Sequence, residues 1–181
     1  MPTYRFPAEA GLALDGGAPT AAAINDRLAE LGLTRQGVMI TRHDDAATLE
    51  GQVPDEATRE HVLLVVGNLQ GIARVDDRLT VARSTGLLDT LGAFARLPAG
   101  SASTEAAGTA VHRAAPEAGD TGYGPGGSIL HLVQPGETLE AIAARHYHDT
   151  AAAGWVLESN AAVLTDASAL RPGMVLRLPP R

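Results

Sequence analysis

From Pro98 to Gly127 the sequence reads PAGSASTEAAGTAVHRAAPEAGDTGYGPGG, and this stretch limits what the chain can fold into more than any motif does. Its small, polar and glycine-rich residues bury too little surface to offset the entropy of ordering them, so it is expected to be a flexible linker. Adding the preceding segment, where Leu87, Leu88, Leu91 and Phe94 could form one short amphipathic helix, gives a linker over 84–127. The 181 residues are thereby divided into a lead-in (1–19), a first module (20–83) and a second module (128–181). Aromatics make up 3% of the chain, so each core must be aliphatic and modest.

Within the first module, Ala21, Ile24, Leu28 and Leu31 recur at helical spacing after Thr20, and Gly32 follows as a stop. VMIT (38–41) and ATLEGQV (47–53) alternate as strands around the turn RHDDA. Pro54, Asp55 and Glu56 open a second helix running through Val62, Leu63 and Val66, and 72–81 reads as a third strand. The second module offers a strand at 130–133, a Pro135-Gly136 turn, a helix with Leu139, Ile142 and Ala143 inward, a helix through Trp155 to Asn160, and a closing strand in LRPGMVLRLP. The predicted class is α+β, with an αββαβ module joined to a βααβ module. On composition alone the lead-in reads as a frayed tail.

Composition excludes several functions. A net charge of −7 argues against nucleic acid, which needs a clustered basic face. The absence of cysteine removes disulfides, thiolate metal sites and cysteine nucleophiles. The first residues lack a leader-like apolar run and no stretch reaches membrane-span length, so a cytoplasmic, monomeric protein without a transmembrane segment is expected. No Ser-His-Asp order, phosphate loop or glycine fingerprint appears, and an enzyme is not expected.

The segment LLVVGNLQGIARVDD (63–77) carries the chemistry. An apolar helix meets Gly67, resumes for two residues after Asn68, and meets Gly71. A helix end leaves carbonyls without intrahelical partners and concentrates partial negative charge, and the two glycines allow the backbone to fold those oxygens around a centre. From the residues alone an ordinary glycine C-cap is the commoner outcome. Other polar clusters are weaker. Asp76 and Asp77 are adjacent in a strand, point to opposite faces and read as a solvated strand end. His146 and His148 with Asp149 invite a zinc reading, but stand two apart on a helix with no third ligand nearby, so a polar helix end is expected. His43, Asp44 and Asp45 fall in a turn where Asp is a turn former.

HLVQPGETLEAIAARHY, WVLESNAAVL and LRPGMVLRLP together resemble the LysM module along its whole length, and residues 20–82 with VGNLQGIARVDD resemble a BON domain. The order, with the lead-in FPAEAG, is similar to the family of BON–LysM potassium binding proteins. That resemblance implies a potassium ion held by main-chain carbonyls of Pro7 and Ala10 in the lead-in and Gly67, Leu69 and Ile72 at the helix end, with Gly67 in a conformation reserved for glycine. It also implies that the two modules reorganise when the ion binds. For LysM modules the resemblance implies an N-acetylglucosamine groove at Gly136, Glu137, Thr138 and Leu139 facing Asn160, Leu170 and Pro172. Two other readings follow from it: an envelope protein binding peptidoglycan fragments through that groove, or an assembly adaptor of a phage-tail-like machine.

Overall fold

The computed structural model describes residues 2–9, 11–14, 19–33, 37–82 and 122–180. A four-stranded sheet has the order β1-β4-β3-β2, formed by β1 (Thr3–Arg5), β2 (Met39–His43), β3 (Ala46–Val53) and β4 (Arg74–Val81). β3 and β4 run parallel, joined by α2 (Glu56–Gly67), and the β1–β4 and β2–β3 pairs are antiparallel. Parallel neighbours need a crossover, and α2 supplies it. α1 (Ala21–Glu30) begins where Thr20 accepts the Ala23 amide, and ends where Gly32 and Leu33 donate to Ala29 and Leu28, the paired bonds of a Schellman cap. α2 begins at Asp55, whose carboxylate accepts the Thr58 amide at 2.6 Å.

The second module is a three-stranded antiparallel sheet, β5 (Gly122–Tyr123), β6 (Ile129–Leu132) and β7 (Val175–Leu178), with α3 (Leu139–Tyr147) and α4 (Ala153–Ser159) between β6 and β7. The βααβ order expected from the sequence is present, with β5 added at its edge.

Two expectations are corrected. The lead-in is not a frayed tail: β1 pairs with the edge of β4 in the register Thr3↔Asp76, Tyr4↔Val75 and Arg5↔Arg74, and Tyr4 and Phe6 are buried in the core. The packed chain also resumes at residue 122, before the expected boundary at 128, whereas 83–121, with the possible helix, lies outside the described residues. The glycines near that boundary serve close approach: a Cβ on Gly124 would stand 2.4 Å from Glu60 Oε1.

α2 explains how the modules meet. Its stretch from Val62 to Gly67 is buried on every side, as a helix is when covered on both faces. One face packs on β3 and β4 and the other on β7.

Candidate functional site

The end of α2 is where lead-in, first module and second module converge. The helix does not break at Gly67, which is its last residue; Asn68 is the cap, and the turn that follows needs Gly71 at φ +87°. Gly67 has no left-handed backbone, so the expected reason for glycine there is replaced by another. A Cβ at Gly67 would meet the Phe6 ring at 2.2 Å, so the missing side chain makes room for the lead-in.

The lead-in lies main chain to main chain along this turn. Leu12 donates to Asn68 O at 2.6 Å and accepts from Gln70 N at 3.0 Å; Gly71 N reaches Ala8 O at 2.8 Å and Phe6 N reaches Ala73 O at 2.9 Å. A Cβ on Gly11 would stand 2.4 Å from both Gln70 N and the Leu69 carbonyl carbon, so the approach depends on glycine. A cleft of about 420 Å³ opens beside the junction, lined by Leu12 and Leu14, by Val65 and Leu69, and by Val163 of the second module.

Of the expected oxygen donors, Pro7 is half-buried, while Gly67, Leu69 and Ile72 are buried. Ala10 lies outside the described residues. The Leu69 carbonyl accepts the Ile72 amide at 3.2 Å. Among the described residues, no main-chain amide donates to the carbonyls of Gly67 or Ile72, whereas the turn at Ala8 and Glu9 starts from Pro7.

Asn68 was not among the sequence candidates, and it ties this junction to the second module. Its Nδ2 donates to Leu64 O at 3.0 Å and Val175 O at 2.9 Å, and its Oδ1 accepts from Val175 N at 2.8 Å. Asn160 treats Arg177 in the same way, with bonds of 2.7 Å to Val156 O, Arg177 O and Arg177 N. Two helix-ending asparagines, one from each module, therefore cap alternate residues along the open edge of β7. A second tie lies about two turns back along α2. The fully buried Glu60 carboxylate accepts from Gly126 N at 2.8 Å, Ser128 N at 3.3 Å, Ser128 Oγ at 2.6 Å and Arg177 Nε. His61 Nε2 adds a bond to Ser159 O at 3.1 Å.

Asp76 and Asp77 part as expected: Asp76 accepts from Thr3 Oγ1 at 2.7 Å, and Asp77 faces inward. Asp77 is not a solvated strand end, because Arg59 Nε pairs with it at 2.9 Å and Leu79 N donates to it. Burial pushes its carboxyl upward, against those two bonds. In the second module, Gly136, Thr138 and Pro172 are exposed, Leu170 is half-buried and Leu139 is in the core. The Glu137 and Asn160 side chains are both engaged inside the module.

The αββαβ order with its parallel β3–β4 pair now has a counterpart among known families: the BON domain family matches residues 17–83. Residues 17–83 are a BON domain. The chain is also 27% identical over 136 residues to a protein of Escherichia coli O6:H1 named potassium binding protein Kbp. That match covers 75% of this chain and 64% of the relative, so it spans less than two thirds of the relative's length. The junction described above thus sits where the second BON helix ends. Among the described residues, no helix is long and apolar enough to cross a membrane.

Proposed function

We propose that this is a cytoplasmic, non-enzymatic potassium-binding protein, whose ion is held by main-chain carbonyls where the lead-in crosses the end of the second BON helix. The carrying observation is that the Gly67 and Ile72 carbonyls accept from no main-chain amide among the described residues, although the amides of Leu12, Gln70 and Gly71 around them are paired. Neutral carbonyl oxygens suit a monovalent ion that exchanges its hydration shell for them, whereas calcium and magnesium sites draw on carboxylates. The helix C-terminus adds partial negative charge. The name of the Escherichia coli relative supports the same ion. Pro7, Leu69 and Ala10 complete the donor set in this reading.

The second module acts here as a LysM-like grip on the ion-bound BON domain. Asn68 belongs both to the turn that would cradle the ion and to the β7 edge, so occupancy of one bears on packing of the other. The internal bonds of Glu137 and Asn160 favour this packing role over peptidoglycan binding.

Thermal unfolding in matched ionic strengths of potassium, rubidium, sodium and magnesium salts tests the reading. A ligand specific to the folded state adds about 2.7 kcal/mol at a hundredfold excess over Kd. Potassium, and rubidium nearly as well, should raise Tm, and sodium and magnesium far less. Equal shifts in all four salts mean screening and end the proposal.

A further inference from the structure

The second module holds a cluster that its packing role does not use. His131 lies on β6, Glu137 in the turn that follows and His146 in the last turn of α3. His148, the neighbour singled out in the sequence, is instead the exposed left-handed cap of α3 at φ 56°. The partner of His146 is distant in sequence: its Nε2 stands 3.3 Å from His131 Nδ1, with the two rings edge to face at 72°.

The opposite nitrogen of His131, Nε2, lies 2.8 Å from Glu137 Oε2. Glu137 Oε2 also accepts from the Gln134 amide at 2.9 Å and Arg145 pairs with the other oxygen, so the carboxyl acts as an acceptor only. His131 Nε2 therefore carries the proton and Nδ1 presents a lone pair toward His146. A carboxylate fixing the tautomer and orientation of an imidazole is the usual support of a metal-binding histidine. Two nitrogens bound to one tetrahedral ion at about 2.05 Å stand roughly 3.3 Å apart. That is the separation found here, at or beyond the long end of ordinary N–H hydrogen bonds.

We propose that His131 Nδ1 and His146 Nε2 chelate a divalent ion of the imidazole-preferring class, Zn²⁺, Ni²⁺ or Cu²⁺, with Glu137 as the positioning carboxylate. The single proton between the rings, carried by His146 Nε2, moves to His146 Nδ1, which leaves a lone pair on each facing nitrogen for an ion seated off the line between them. Arg145 pairs with the other Glu137 oxygen, so these groups sum to no net charge and selectivity rests on the imidazole donors. Among the described residues no three such groups converge, so water completes the coordination and the site is open.

The test is a titration of the full, untagged chain with Zn²⁺ while observing histidine ring nitrogens by NMR, beside calorimetry. The expected result is one-to-one binding that moves the His131 and His146 rings, with no response to Mg²⁺. His146→Gln should abolish it and His148→Gln should leave it unchanged. Unmoved His131 and His146 rings at tenfold excess of Zn²⁺, or binding of equal strength in His146→Gln, would overturn the proposal. Ring shifts in the unsubstituted chain decide the matter even if a variant folds poorly.

Discussion

Asn68 and Val175 exchange two hydrogen bonds through one side-chain amide, 2.9 Å to the Val175 carbonyl and 2.8 Å from its amide, across 107 positions of sequence. The asparagine thus replaces one rung of a missing β-strand along β7. Both partners are buried. Asn68→Ala leaves the Val175 donor and acceptor unpaired, which should cost about 2–4 kcal/mol in chemical denaturation. Asn68→Asp keeps an acceptor for the Val175 amide but turns a carboxylate toward its carbonyl, and should be no better. A loss below 0.5 kcal/mol, roughly that of a surface change, would mean that the modules are held elsewhere.

Glu60 should behave as half of a buried ion pair. Removing its charge by Glu60→Gln strands Arg177 beside Ser128, and loss of one buried partner costs about 3–5 kcal/mol. Arg177→Met alone should be similarly damaging, while the double variant should recover part of the loss. Strict additivity in that cycle would show that the two groups do not interact.

Gly11→Ala should separate ion binding from folding. Its Cβ would collide with main-chain atoms of Gln70 and Leu69, which cannot swing aside as a side-chain end can. The expected product is a BON sheet with a near-native far-ultraviolet spectrum whose lead-in no longer docks and whose Tm no longer responds to potassium. A full potassium response in this variant would take the lead-in out of the site.

Much of the fold could be read from pattern. Apolar spacing placed both helices of the BON domain, and Thr20 and Asp55 marked helix starts that the structure caps with those same side chains. The VLLVV run of α2 also held the docking surface in view, since a helix apolar on all sides must be covered on all sides. What pattern missed was long-range pairing. β1 is three residues long and owes its place to the register with β4, and its short sequence carries no alternation to read. YGPGGS reads as linker by composition because glycine signals both disorder and close approach, and only Glu60 distinguishes the two. Gly67 was singled out for its backbone freedom, whereas the structure leaves it empty for the Phe6 ring.

Acid should weaken the start of α2 in a traceable way. The Thr58 amide, against slight burial, holds Asp55 below the ordinary aspartate value near 3.8. A carboxyl with a depressed folded pKa contributes stability that is present above the unfolded value and lost as pH falls through the folded one. Asp55→Asn retains a cap acceptor but does not titrate, so its stability should fall less steeply than the parent's as pH drops below about 4. Parallel curves for parent and variant would contradict the assignment.

The central claim concerns particular oxygen atoms, and carbonyl ¹³C resonances of the full chain report on those atoms directly. During a potassium titration the account predicts saturable shifts at the carbonyls of Pro7, Gly67 and Ile72, sharing one binding curve, with Leu69 following and sodium at equal concentration leaving all of them in place. Saturable potassium binding with those carbonyls unmoved, or the same shifts produced by sodium, would contradict it.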